Sequence, residues 1–386
     1  MRRIPAGIVG LSIALVAAIG LAGCGSSAAK SPSSTAATTT TVPAAAFTRY
    51  AGPGPYAAGT FSTHVGTDAV VIWYPAPLSS AAGKAKYVYH VRSFLPAVFQ
   101  KLIPKSFPDG VTEDAYAGLP MAPGKFPVVL FSHGFSGFPD QSTFLTAHLA
   151  TWGFIVVAPD MTSMDITDAV ENTLKFDLKL NVAQQEAALR AVWQDSRTPS
   201  SIFYGHVVPS EAGIVGHSAG GGTAIATAAA DPAIKVVVSL AGVPEPPPVR
   251  PLPILLIAGG NDKEVPFPGI NALYGKLKPG GSLLEIAKVG HNVFDDICTI
   301  NRAHGGLPGA VRQLKLPVPK GILSLATDGC KAPDLYPPLV WPLINQATVA
   351  ELRWGFGIDK QLTGLGPRID HAFSGVTGTY NAIVRL

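Results

Sequence analysis

The segment Gly216-His217-Ser218-Ala219-Gly220 places a serine two residues from a glycine on each side. An apolar run, Ala212–Val215, precedes it, and an alanine-rich stretch typical of a helix follows it. A serine on so tight a strand-to-helix turn takes strained backbone angles. Side chains at the flanking glycine positions would clash within the turn. The turn lifts the hydroxyl above the sheet and leaves the N–H of Ala219 free at a helix N-terminus. We therefore interpret Ser218 as a nucleophile for acyl transfer.

A serine hydroxyl is a weak nucleophile at neutral pH and needs a general base. Downstream of Ser218 the histidines are His291, His304 and His371. His291 follows the last apolar strand pattern directly, whereas the other two lie in an irregular tail, where a surface or structural role is expected. The sequence therefore predicts His291 as the base.

The base in turn needs a carboxylate to orient its ring and to stabilise its charged form. Asp262 comes shortly after the preceding apolar run, Ile254–Ala258, through Gly259-Gly260-Asn261. It is the predicted acid, since nucleophile, acid and histidine then follow in that order. Asp295 and Asp296 are alternative acids, but both come after the histidine and would need a rearranged order.

A second backbone donor to the reacting oxygen is expected from the loop after Val128–Ser132, which continues His133-Gly134-Phe135. The N–H groups of Phe135 and Ala219 are the predicted oxyanion hole, and one such donor is typically worth about 10²–10³-fold in turnover. We interpret His133 and His217 as residues that hold their turns and not as bases.

No pattern in the sequence indicates a metal or a cofactor. The remaining histidines, His64, His90, His148 and His206, lack ligand spacing, and neither a phosphate-binding glycine loop nor a dinucleotide fingerprint is present. The chain has 386 residues, with 29 basic and 25 acidic side chains and a net charge of +4. Because the basic residues are scattered, nucleic-acid binding is not expected.

Short apolar, β-branched runs alternate with helical patterns along the chain. The predicted strands are Ala69–Tyr74, Val128–Ser132, Ile155–Ala158, Ala212–Gly216, Val236–Leu240, Ile254–Ala258 and Leu284–Ala287. The predicted helices are Gln141–Thr151, Val182–Gln194, Ser218–Ala230, Ile270–Leu277 and Asn345–Trp354. Strands that are apolar throughout are typical of a parallel sheet covered on both faces, and the alternation predicts a doubly wound α/β fold.

Three segments, Phe126–Phe135, Thr151–Asp160 and Gly216–Gly222, together resemble the α/β hydrolases grouped with platelet-activating factor acetylhydrolase, dienelactone hydrolase and bacterial cutinase-like polyesterases. The resemblance runs from about Ala69 to Phe294. It implies an α/β-hydrolase fold with a mostly parallel central sheet flanked by helices. It also implies hydrolysis of carboxylic esters with short acyl groups through an acyl-enzyme.

Two departures from these relatives matter. Plain dienelactone hydrolases use a cysteine where this chain has Ser218, and the tail after Cys298 has no counterpart in the shorter polyesterases. An acetylhydrolase-like esterase is therefore the expected function. A lipase, a polyesterase, a peptidase or a thioesterase on the same fold stay open, as does a catalytically silent surface binding protein. Phe135, Phe138 and Phe294 adjoin catalytic positions and could form an apolar acyl pocket or ordinary core.

The N-terminal residues 1–23 are predicted to be a lipoprotein signal peptide. A basic start, Met1-Arg2-Arg3, is followed by an apolar run and by Leu21-Ala22-Gly23-Cys24, which resembles the bacterial lipobox. Lipidation of Cys24 would anchor the protein to a membrane of the cell envelope, facing the extracytoplasmic side. The alternatives are an ordinary signal peptide or an uncleaved anchor; twin-arginine export is disfavoured by the residues around the arginine pair.

Residues 24–46 are rich in Ser, Thr and Ala, which predicts a disordered tether. We assign the hydrolase domain to residues 47–386, with residues 295–386 as an elaboration at the sheet edge or over the site. Cys298 and Cys330 are predicted to form a disulfide, since the chain is expected to be exported. Two free thiols are the alternative.

Overall fold

The computed structural model describes residues 44–382. The predicted signal peptide, Cys24 and most of the predicted tether lie outside the described residues, so those predictions stay predictions. The described part begins with a 3₁₀ helix, Ala44–Thr48, in which Phe47 is buried. Within residues 44–382, no helix is both long and apolar enough to cross a bilayer.

The described residues contain one large sheet and one small hairpin. The strands are β1 (Ala57–Val65), β2 (Asp68–Ala76), β3 (Val88–His90), β4 (Gly110–Thr112), β5 (Tyr116–Ala117), β6 (Phe126–Ser132), β7 (Ile155–Pro159), β8 (Val207–His217), β9 (Ile234–Leu240), β10 (Ile254–Gly259), β11 (Gly281–Ile286) and β12 (Thr377–Ala382). In the large sheet their order is β12-β11-β10-β9-β8-β6-β7-β2-β1-β5, and β3 pairs with β4. In this order, the pairs β7–β6, β6–β8, β8–β9, β9–β10 and β10–β11 are all parallel.

Helices cover both faces of this sheet. The α-helices are α1 (Ala97–Leu102), α2 (Thr143–Thr151), α3 (Ile166–Glu171), α4 (Leu178–Asp195), α5 (Ala219–Ala230), α6 (Phe267–Tyr274), α7 (Gly306–Leu314), α8 (Lys320–Leu325), α9 (Trp341–Gly355) and α10 (Ile369–Ala372). Short 3₁₀ helices occupy Leu78–Ala81, Val91–Phe94, His291–Phe294, Ile297–Thr299, Arg302–His304 and Pro337–Leu339. Helices α2 and α9 pack on one face, and α4, α5 and α6 on the other.

Strand β6 shows why the central strands are apolar throughout. Val129 and Phe131 belong to the core under α2 and α9, whereas Val128 and Leu130 belong to the core under α4 and α5. Successive side chains point to opposite faces, and both faces exclude water. The predicted doubly wound α/β fold is confirmed, and each of the seven predicted strands lies in the sheet.

The antiparallel edges of the sheet escaped prediction. Strand β1 alternates half-buried and exposed residues along its second half and pairs antiparallel with β2. At the other edge, β12 pairs antiparallel with β11 and is half-exposed. Neither strand has the continuous apolar run by which the central strands were recognised.

The tail after residue 295 does two different things. Helix α9 packs against β9 and β10, and β12 extends the sheet. The segment before α9, residues 297–330, instead covers the carboxyl ends of the parallel strands and is called the lid below. Its two ends are joined by the disulfide Cys298–Cys330, which confirms the predicted pairing.

Candidate active site

Ser218 lies at the turn from β8 into α5, with φ 59° and ψ −124°. This strained backbone conformation is tolerated because the residues around it are very small. A Cβ on Gly216 would lie 2.1 Å from the carbonyl oxygen of Gly220, and one on Gly220 would lie 2.2 Å from that of His133. The turn can therefore form only with glycine at both positions, as the sequence predicted.

His291 and Asp262 are joined by a buried hydrogen bond, with 2.8 Å between Nδ1 of the ring and Oδ2 of the carboxylate. The other carboxylate oxygen, Oδ1, accepts the backbone N–H groups of Glu264 and Val265 at 2.9 and 2.8 Å. These bonds fix the carboxylate, and they leave Nε2 of His291 as the ring nitrogen available to accept a proton. Ser218 and His291 line the same cavity.

The alternative acids serve other partners. Asp295 accepts the N–H of Ile297 at 3.0 Å, and its Oδ2 lies 3.8 Å from Nδ1 of His217. Asp296 accepts both the N–H and the hydroxyl of Thr143. Asp262 is therefore the carboxylate that orients His291.

Two backbone donors lie free beside Ser218. Among residues 44–382, neither the N–H of Phe135 nor that of Ala219 donates a hydrogen bond. A Cβ on Gly134 would lie 3.2 Å from the Cβ of Ser218, so the loop that carries Phe135 approaches the serine closely. The geometry suits an oxyanion hole.

His133 holds the loop of Phe135 in place. The side chain is fully buried. Its Nδ1 donates to the carbonyl oxygen of Gly134 at 2.9 Å, and its Nε2 accepts the N–H of Met161 at 2.8 Å. Both ring nitrogens are thereby used within the protein, in keeping with the structural role expected for this residue.

Comparison with known proteins agrees with this architecture. The family model described as Chlorophyllase matches residues 105–245. No curated protein matches the chain. One similar solved structure is the ferulic acid esterase from Streptomyces cinnamoneus, with 20% sequence identity, a TM-score of 0.56, and coverage of 79% of this chain and 92% of the other. The chain has an α/β-hydrolase fold.

The site on this α/β-hydrolase fold has a support that the sequence did not reveal. Gln141 accepts the N–H of Gly134 through Oε1 at 3.2 Å and donates from Nε2 to Nδ1 of His217 at 3.0 Å. Because Gln141 lies at the end of a loop with no motif around it, nothing in the sequence signals this role.

His217, expected from the sequence to hold its turn, is part of this support. Burial, and then the nearby charge of His291, hold its pKa well below the usual histidine range. The two rings lie 4.7 Å apart, centroid to centroid. With Nδ1 accepting from Gln141, the neutral ring carries its proton on Nε2, which has no hydrogen-bond partner among the described residues.

A cavity of about 530 Å³ adjoins Ser218. Three parts of the chain build its apolar wall: residues 91–107, the loop and helix of residues 135–176, and the lid. The apolar lining from the lid comprises Ile297, Ile300, Leu307, Ala310, Val311, Leu314, Leu316, Val318, Ile322, Leu323, Leu325 and Ala326. Phe135 and Phe138 also line the cavity, whereas Phe294 is buried in the core against the sheet.

The lid is bonded to the loops that carry the acid and the base. Asp328, in the lid, accepts the backbone N–H of His291 at 2.8 Å and that of Lys263 at 3.2 Å, both at Oδ2. Its backbone oxygen accepts the side-chain amide of Asn292 at 3.0 Å. Asp328 was missed, although the predicted disulfide two residues later could have placed it near the site.

Within residues 44–382, no group of three or more His, Cys, Asp or Glu side chains is arranged to hold a metal ion.

Proposed function

We propose that this α/β hydrolase is an exported serine esterase that cleaves carboxylic esters with a large apolar group. The observation that carries the proposal is the hydrogen bond of 2.8 Å between His291 and Asp262, in a cavity that Ser218 and His291 line together. The similar solved structure is a ferulic acid esterase, which favours an ester bond as the target.

In the proposed reaction the Ser218 hydroxyl attacks the ester carbonyl while Nε2 of His291 takes its proton. Asp262 stabilises the imidazolium without taking the proton itself. The oxyanion accepts the N–H groups of Phe135 and Ala219. As the C–O bond breaks, His291 returns the proton to the departing alcohol. Water then attacks the acyl-enzyme with the same base, and the acid product leaves.

The cavity supports a larger substrate than the short acyl group that was expected from the sequence. Its volume of about 530 Å³ lies within the range of about 300–1,000 Å³ typical of ligand sites. Most of its wall is aliphatic or aromatic. Burial of each additional methylene gains about 0.8 kcal/mol, so an extended apolar group favours binding here.

A cover over the cavity also argues against a polymer substrate. The lid lines the cavity beside Ser218 and narrows access to it, whereas a polyester chain needs an open groove. Among the alternatives, a lipase is favoured by the apolar lining of α7 and α8. No feature of the site favours a catalytically silent binding protein.

A series of p-nitrophenyl esters from acetate to palmitate tests both the reaction and the substrate class. We expect kcat/KM to rise with acyl length up to medium or long chains. Ser218→Ala should lower turnover by about 10⁴-fold or more and abolish labelling by a fluorophosphonate. Ser201→Ala is the matched control and should behave like the wild type. Normal hydrolysis by Ser218→Ala would refute the mechanism, and a sharp loss beyond butyrate would refute the large apolar group.

Export and lipidation are proposed from the sequence alone. Cys24→Ser should abolish incorporation of a labelled fatty acid and release the protein from the membrane fraction of cells, whereas Cys298→Ser should not. Equal labelling of both variants would refute lipidation at Cys24.

A further inference from the structure

The outer surface of the lid carries charge of one sign. Every exposed charged side chain between residues 297 and 331 is basic, whereas Asp328 is buried against the base. The exposed basic side chains are Arg302, Arg312, Lys315, Lys320 and Lys331. Such a field attracts anions to this face of the molecule.

Three of these side chains line one recess. Arg302, Arg312 and Lys331 surround a cavity of about 440 Å³ beside the disulfide, together with Thr327. No carboxylate lines it in the part of the chain that the structure describes. Ile297, Leu307 and Ala326 border both this recess and the apolar cavity of the active site, so only the thickness of the lid separates the two.

The recess is held open by local contacts. The guanidinium of Arg302 lies 4.0 Å above the ring of Tyr336, and its Nη1 donates to the carbonyl oxygen of Cys330 at 3.3 Å. Neither Arg312 nor Lys331 makes an ion pair within residues 44–382. Three unneutralised cations in one recess repel one another, and a bound anion relieves that repulsion.

We propose that Arg302, Arg312 and Lys331 form a binding site for a phosphate group on the outside of the lid. Guanidinium groups match phosphate geometry through paired N–H donors, and a lysine adds a point charge. The phosphate belongs either to the head group of an anionic lipid or to a small soluble phosphate. This site is independent of the ester chemistry proposed above.

Binding of the full chain is measured with two probes, inorganic phosphate by calorimetry and phosphatidylglycerol vesicles by co-sedimentation, with phosphatidylcholine vesicles for comparison. The test variant is R302Q/R312Q/K331Q. The control variant, K235Q/K276Q/K278Q, removes the same charge at the opposite end of the sheet. All chains share the same N-terminal residues, so any contribution from these residues is common to them.

We expect the test variant to bind at least one anionic probe roughly tenfold or more weakly than the wild type, and the control to stay within about twofold. Hydrolysis of a water-soluble acetate ester should be unchanged in both. Binding of vesicles alone identifies a lipid head group, and binding of phosphate identifies a soluble anion. Equal losses in the two variants, or no binding of either probe by the wild type, would overturn the site.

A second inference concerns Asp328 and rests on the proposed function. Its Oδ2 bridges the backbone of His291 and that of Lys263, the residue after the acid. Gly290 and Gly329 touch backbone to backbone, since a Cβ on Gly290 would lie 2.6 Å from the Cα of Gly329. We infer that Asp328 is a positioning residue. From within the lid, it holds the loops of Asp262 and His291 in a fixed relative position.

Asp328→Ala should lower kcat by roughly 10- to 100-fold with little change in KM, since misplacement of the base affects the reacting geometry. Asp328→Asn should restore most of the activity, because an amide oxygen can accept the same two N–H groups. Asp334→Ala is the matched control, since this carboxylate instead accepts from Asn261 at 2.6 Å. Wild-type kcat in Asp328→Ala, alongside an inactive Ser218→Ala, would reject the positioning role and leave the proposed function intact.

Discussion

The side-chain amide of Gln141 donates from Nε2 to Nδ1 of His217 at 3.0 Å. Its Oε1 accepts the N–H of Gly134 at 3.2 Å. His217 directly precedes the candidate nucleophile, and Gly134 directly precedes the residue with the free oxyanion donor. One amide therefore ties the turn of Ser218 to the loop that carries Phe135.

Gln141→Ala should lower kcat by roughly 10- to 100-fold while KM changes little, because the donor and the nucleophile lose their common tie. Steady-state kinetics on a p-nitrophenyl ester would measure both constants. Gln194→Ala, on the exposed end of α4, is the control and should be neutral. A variant with normal kcat and a raised KM would contradict this role and assign Gln141 to substrate binding instead.

The site could be predicted where the chemistry demands a local motif. Glycines around Ser218 and the loop before Phe135 leave a signature in consecutive residues, and the structure brings both to one cavity with His291. Their catalytic roles stay predictions. Asp262 could be placed from strand order alone, because parallel strands deliver their following loops to the same edge of the sheet.

Support for the site could not be predicted, because it depends on contacts between distant segments. Gln141 meets His217 across 76 positions, and Asp328 meets His291 across 37. The apolar cavity is likewise assembled from residues 91–107 and the lid, neither of which carries a motif. The edge strands β1 and β12 were not predicted for a different reason. Half-exposed strands lack the continuous apolar run that indicates a central strand.

Stability should fall as the pH rises from about 6.5 to about 8, because several carboxyl groups are buried and hold protons in the folded state. Burial, and then the charge of Asp140, raise the pKa of Glu113 to about 8, and burial raises that of Asp140 to about 7. The folded state thus holds protons that the unfolded chain releases, so stability falls as the pH approaches these values. The pKa of His148 is lowered to about 4, so this residue changes the pH dependence of stability only below the ordinary pKa of histidine.

Glu113→Gln should weaken this dependence between pH 6.5 and 8.5, measured as the change in melting temperature. The amide still accepts the indole N–H of Trp73, which lies 2.6 Å from the carboxylate in the wild type. Glu171→Gln, on an exposed side chain, should retain the wild-type slope. Identical slopes in all three proteins would show that Glu113 does not titrate in this range.

The lid should depend on its disulfide for stability. Cys298 and Cys330 are separated by 32 positions, and closure of a loop of this length restricts the unfolded chain by about 3–4 kcal/mol in the chain-entropy model. The double variant Cys298→Ser/Cys330→Ser should therefore unfold at a lower urea concentration. Wild type with reductant should match it, and the variant should be insensitive to reductant. If the urea midpoint is unchanged both in the double variant and in the reduced wild type, the disulfide does not contribute to stability.

Filling the lid side of the cavity should shorten the acyl group that the enzyme accepts. Ala310 is 6% exposed and lines the cavity from α7, so a phenylalanine there occupies space that an extended acyl chain would use. Ala310→Phe should lower kcat/KM for p-nitrophenyl palmitate by roughly 10- to 100-fold, with the acetate within about threefold. Ala303→Phe, on an exposed lid position outside this cavity, is the matched control. Equal losses on both esters would indicate a displaced lid, and no loss on either would place the acyl group elsewhere.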